Sequence, residues 1–90
     1  MDNKFSVGDV VVSLSGHDKN KPFIVVGLDK FGFPAIIDGK YRLKTKPKSK
    51  NPKHLKLVEN NQDLLSLVES PLSTNAEIYK KIKVYKEVKE

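Results

Sequence analysis

Two stretches, Gly8-Asp9-Val10-Val11-Val12-Ser13-Leu14 and Phe23-Ile24-Val25-Val26-Gly27-Leu28, decide how this chain folds. In the first, Val10, Val12 and Leu14 fall on one face and Asp9, Val11 and Ser13 on the other. That period of two marks a half-buried strand. The second is apolar and β-branched with no alternation, which predicts a central strand covered on both faces. Gly27 inside it predicts a bulge or a close packing contact. Between them, Ser15 to Lys21 is polar and carries Gly16, Asp18 and Asn20, so it reads as a loop.

Working outward, Asp29 to Gly32 reads as a turn and Phe33 to Asp38 as a third strand, with Pro34 placing an edge or an entry there. Asp38-Gly39 predicts a type I′ hairpin, whose central residues need positive φ. A fourth strand, Lys40 to Lys46, should follow. It would put Tyr41, Leu43 and Thr45 on one face and a row of Lys40, Arg42, Lys44 and Lys46 on the other. Pro47 to Pro52 reads as a mobile basic loop. His54 to Val58 resumes alternation, with Leu55 and Leu57 inward and Lys56 outward. The expectation is a mainly β protein, a small barrel of about five short strands in roughly sixty residues.

The period changes after that. Leu64, Leu65, Leu67 and Val68 predict a short amphipathic helix over residues 61–69, which Ser70-Pro71 breaks. Thr74-Asn75-Ala76-Glu77 reads as a capping box. The helix it opens places Ile78, Ile82 and Tyr85 on one face, with Lys80, Lys81, Lys83 and Lys86 around the rest. The expected organisation is a barrel over residues 1–59 and a helical C-terminal tail over 60–90.

Charge is distributed unevenly. Eight of the 17 basic residues (Lys40, Arg42, Lys44, Lys46, Lys48, Lys50, Lys53 and Lys56) lie in a stretch with no acid. The remainder holds nine bases against eleven acids, so the net +6 is a local property. Such a surface suits a polyanion. The chain has 90 residues and no Cys, which excludes disulfides and thiolate metal sites. No apolar run approaches the length that spans a bilayer, and residues 1–9 lack a signal-peptide core. The expected location is the cytoplasm. Catalysis is not expected: two histidines, no Cys, no nucleophile elbow and no Gly-rich phosphate loop leave no catalytic or metal set and imply no cofactor.

The run Gly8 to Val12, the loop Ser15 to Lys21 and the run Phe23 to Val26 resemble a KOW motif: strand, basic loop and strand opening an SH3-like barrel. Ile36 to Arg42, the lysine-rich stretch and Pro52-Lys53-His54-Leu55 are similar to the large-subunit ribosomal protein family of the L-fourteen-e type. They look closer still to short bacterial KOW-domain RNA-binding proteins related to it, which also end in a helical tail. Asn20 and Phe23 depart from the motif, standing where Gly is usual or frequent.

The resemblance implies an SH3-like barrel that binds RNA, ribosomal RNA foremost, in translation or ribosome assembly. Ribosomal proteins are a second partner class, and a monomer is implied. Contact through the first loop would use Gly16, His17, Lys19 and Lys21. Lys40, Arg42, Lys44, Lys46, Lys48, Lys50 and Lys53 would meet phosphates, and Phe31, in a turn, would stack on a base. Phe33 and Tyr41 read as core, and Phe5 as a cap on the barrel. The alternative is a protein-interaction SH3-like module of a transcription or translation complex. Duplex DNA ranks lower, because no helix offers a groove-reading face.

Overall fold

The structure, a computed structural model, describes residues 5–87 and the side chains of residues 5–85. Five strands, β1 (Asp9–Ser13), β2 (Pro22–Leu28), β3 (Pro34–Ile37), β4 (Lys48–Ser49) and β5 (Leu55–Asn60), form one antiparallel sheet in the order β4-β3-β2-β1-β5. Helices α1 (Gln62–Glu69) and α2 (Asn75–Ile82) and a last turn α3 (Val84–Glu87) follow. The architecture is mainly β with C-terminal helices, as the periodicities predict.

β2 is the central strand expected of an unbroken apolar run, and over residues 22–25 both its faces are dry. Ile24 joins Val10, Ile37, Leu64, Leu65, Val68, Ile78 and Ile82 in one buried cluster. Its neighbours Phe23 and Val25 point the other way, into a second cluster with Val11, Ile36 and Leu55. The register produces this division, pairing Val10 with Ile24 and Ile24 with Ile37, but Val11 with Phe23 and Val25 with Ile36. Phe23 is therefore a core anchor, and Phe5, partly buried, packs against its cluster. β1 alternates as expected but is not half-buried. Asp9 and Ser13 are buried along with Val10 and Val11, because both faces of the sheet are packed there, Val10 in one cluster and Val11 in the other.

The helices supply five of the eight members of the first cluster. Asn61 caps α1, its Oδ1 accepting from the Leu64 N–H at 2.9 Å. Thr74 and Glu77 form the capping box: the Glu77 N–H donates to Thr74 Oγ1 at 3.2 Å and the Thr74 N–H to Glu77 Oε1 at 3.0 Å. Caps of this kind are worth about 1 kcal/mol. Ile78 and Ile82 are fully buried, and Tyr85 packs beside them. The side chain of Lys86 lies outside the described residues.

Four of the sequence expectations need correction. No strand forms over residues 40–46, and Asp38-Gly39 does not turn a hairpin. The carboxylate of Asp38 instead gathers the backbone of the following residues into a loop, described below. The fourth strand is the two-residue β4, inside the segment expected to be a mobile loop. Leu57 shares the face of Leu55, yet it is 51% exposed. β5 is the edge of the sheet, and a register shift opposite Val10 and Val11 leaves Val58 between partners. A similar shift between Val25 and Gly27 is the bulge expected at that glycine. The third strand starts at Pro34, which removes no ladder bond at a strand entry.

Two tests follow from this packing. Ile82→Ala should cost about 2–5 kcal/mol in urea denaturation, whereas Leu57→Ala on the open edge should stay within about 1 kcal/mol. Equal effects would contradict the assignment of the core. The second concerns Tyr85, whose hydroxyl donates to Glu59 at 2.6 Å and accepts from Asn61 Nδ2 at 3.0 Å. Burial, and then the bond to the Glu59 carboxylate, raise its pKa above the ordinary tyrosine value. A raised folded pKa stabilises below the unfolded value of about 10 and is lost as pH climbs through the folded one. The stability advantage of the protein over Tyr85→Phe should thus shrink above about pH 10. A gap constant through that range in thermal melts would contradict it.

Candidate nucleic-acid interface

The first loop is shaped by two residues in the left-handed region, Gly16 (φ +77°) and Asn20 (φ +69°). Asn tolerates this conformation better than other non-Gly side chains, so the turn forms without a glycine at position 20. Gly16–Asp18 form a 3-10 turn, closed by N–H bonds from Lys19 to Gly16 O and from Lys21 to Asp18 O. His17 and Lys19 stand exposed at its tip. Asp18 faces inward, 3.7 Å from an Arg42 guanidinium nitrogen and 4.0 Å from Lys50 Nζ.

The second basic segment is organised by Asp38. Its buried carboxylate accepts three backbone N–H bonds on one oxygen: Lys40 at 2.9 Å, Tyr41 at 2.8 Å and Arg42 at 2.9 Å. Gly39 lies at φ +85°, and a Cβ there would meet the Asn75 carbonyl and the Tyr79 amide. This loop therefore lies against the first turn of α2. Further along, the Lys44 N–H donates to Asn75 Oδ1 at 2.9 Å. Lys44 Nζ donates to the Ser70 and Ser73 carbonyls, both at 3.1 Å, and to Ser73 Oγ at 2.8 Å.

The twelve residues singled out in the sequence thus divide. Arg42, Lys44 and Lys50 are engaged within the protein: Arg42 and Lys50 with Asp18, Lys50 also with Ser13 Oγ, and Lys44 with the α1–α2 connection. Gly16, His17, Lys19, Lys40, Lys46, Lys48 and Lys53 are exposed. The cations do not form a row on one strand face. Phe31 is 73% exposed at the β2–β3 turn, where Asp29 Oδ1 accepts the Phe31 and Phe33 N–H groups at 2.8 and 2.9 Å. Lys30 Nζ lies 5.3 Å from its ring.

Lys21, Lys40 and Tyr41 come together in a cluster that the sequence did not announce. Tyr41, expected in the core, is 47% exposed, because the Asp38 loop replaces the strand that would have turned it inward. Lys21 Nζ sits 3.9 Å above its ring. Lys40 Nζ lies 5.1 Å from the same ring and 5.3 Å from that of Tyr79, which Lys83 Nζ approaches at 5.9 Å. Lys21, Tyr41, Tyr79 and Lys83, with Pro22 and Asp38, line one small recess. Interaction with Tyr41 and Tyr79 raises the Lys40 pKa, keeping the ammonium charged. Tyr79 and Lys83 are the members that sequence reading missed. The available signal was an aromatic beside, not on, the apolar face of α2, with a lysine one turn later. Cation–π contacts at exposed sites contribute about 0.5–1 kcal/mol. Stacking of a nucleobase on an aromatic ring is worth about 1–3 kcal/mol, so the ammonium groups are displaceable from these rings by a base.

A scan against protein-family models finds no match for this chain, and a search of curated proteins finds none. Among the described residues no three His, Cys, Asp or Glu side chains converge as a metal site, and no helix is long and apolar enough to cross a membrane.

Lys44 provides the test of this division. Lys44→Met removes three donors to the α1–α2 connection and should cost about 1–3 kcal/mol in urea denaturation. Lys46→Met, at an exposed position, should stay within about 0.5 kcal/mol. The reverse order would contradict the placement of the two side chains.

Proposed function

We propose that this chain is a small RNA-binding protein of the KOW type, an SH3-like barrel carrying two helices, that associates with ribosomal RNA in the cytoplasm and works by electrostatic docking rather than catalysis. Two features support the barrel. The second core cluster lies on the sheet face opposite the helices, and the burial of its five members is what a sheet curled over itself would give. The edge strands β4 and β5 are joined through residues 50–54, which include the 3-10 turn Pro52–His54. At about 3.5 Å per extended residue and about 2 Å per 3-10 residue, that link reaches roughly 16 Å. The edges of a flat five-stranded sheet stand about 19 Å apart.

The observation that carries the RNA reading is the exposed positive charge. Lys40, Lys46, Lys48, Lys53 and Lys56 face solvent along a stretch without an acid. Among the described residues Asp18 is the acid within salt-bridge reach of that stretch, and it engages Arg42 and Lys50. Lysines so placed attract phosphates without regard to sequence and release counterions on binding. A second reading, a protein-interaction module, draws on β5, whose edge exposes Leu57 and Val58 to a partner strand.

Salt dependence separates the two. If about five lysines meet phosphates, log K for ribosomal RNA fragments falls against log salt with a slope near −3 to −5. Lys46→Gln, Lys48→Gln and Lys53→Gln together should weaken binding and reduce that slope by about 2–3. Unchanged affinity and slope in the triple variant would overturn the proposal, and salt-insensitive binding of a polypeptide would favour the second reading.

A further inference from the structure

We infer that the recess between Tyr41 and Tyr79 receives one unpaired nucleotide, its base stacked on the tyrosine rings and its flanking phosphates held by Lys21, Lys40 and Lys83. The inference rests on the RNA-binding reading and adds to it the form of RNA that is bound: a loop, bulge or single strand rather than a continuous duplex.

Three observations carry it. The first is convergence from separate parts of the chain. Lys21 precedes β2, Lys40 and Tyr41 belong to the Asp38 loop, and Tyr79 and Lys83 belong to α2 and its C-terminal end. One ammonium group, that of Lys40, reaches both rings, at 5.1 and 5.3 Å. The second is the chemistry of the lining. Two lysines, Lys21 and Lys83, line the recess with a single acid, Asp38, and Lys40 Nζ stands near both rings. One oxygen of that carboxylate already accepts three backbone N–H bonds. The third is the exposed ring of Tyr41 in a chain whose Phe23 is fully buried. Phosphates alone need only the lysines. A π-face presented beside them fits a ligand that offers both a phosphate and an uncovered base. Paired bases within a helix are already stacked on their neighbours and leave no face free for a protein ring. The lysines that cover the tyrosines in the free protein are the weaker contact, and they lie where they can turn to the phosphates on either side of an incoming base. The exposed Phe31 lacks this setting, with one lysine near it and Asp29 in its own turn.

The chain has three tyrosines and no tryptophan, so its intrinsic fluorescence reports on these rings. The test titrates the protein with a short single-stranded RNA and with a hairpin duplex of equal nucleotide count at one salt concentration. Tyrosine fluorescence and the anisotropy of labelled RNA are both read. The single strand is expected to quench the fluorescence. The double variant Tyr41→Leu/Tyr79→Leu should lose about tenfold in single-strand affinity, with duplex affinity retained. Tyr41→Phe/Tyr79→Phe keeps the rings and should keep the affinity, which separates stacking from a folding defect. Equal losses for strand and duplex in the leucine variant, or no loss at all, would overturn the inference and leave RNA binding standing. Absence of binding to either RNA would overturn both.

Discussion

One carboxylate oxygen sets the layout of the basic half of this protein. Asp38 follows β3 directly, and its Oδ1 collects the amide protons of Lys40, Tyr41 and Arg42. Buried backbone N–H groups must find acceptors. Here a side chain supplies them where a neighbouring strand would have done so in a hairpin. The chain is thereby released from the sheet and laid against α2, where Gly39 is the residue that admits the approach. Everything placed on that surface depends on this turn: the exposed ring of Tyr41, its proximity to Tyr79 and the seat of Lys44 between α1 and α2.

The two halves of the molecule are thus joined by polar contacts as well as by the core. Lys44 reaches from the basic segment to the α1–α2 connection, and Asp18 reaches from the first loop to Arg42 and Lys50. Exposed ion pairs contribute about 0–1 kcal/mol each, so the Asp18 contacts position more than they stabilise. Their effect is to remove two cations from the surface and leave a smaller set facing solvent. Charge counted along a sequence overstates what a partner can meet, because a share of it is neutralised within the fold.

Much of the fold was legible. The unbroken apolar run at residues 23–28 reads as a two-sided strand, and the structure gives it a cluster on each face. The capping box at Thr74 and the stop at Ser70-Pro71 are local signals that depend on no distant contact, and both hold. The fourth strand was not legible. Alternation over residues 40–46 favours a strand, but Asp-Gly is also a strong loop former, and the outcome turned on a docking site on α2 some 35 residues later in the chain. The same distance hid the site. His17, Lys19 and Phe31 are exposed as their loops predict, but Tyr79 and Lys83 gain meaning only once α2 is folded beside Tyr41.

The central claim is that RNA meets the surface built around Tyr41. Amide chemical-shift mapping in an isotope-labelled sample, titrated with a single-stranded RNA, tests it most directly. The account predicts that the largest changes fall on Lys21, on Lys40 to Arg42 and on Tyr79 to Lys83, with Lys56 to Asn60 on the β5 edge unmoved. Changes centred on that edge or on the Phe31 turn, with the Tyr41 surface silent, would contradict it.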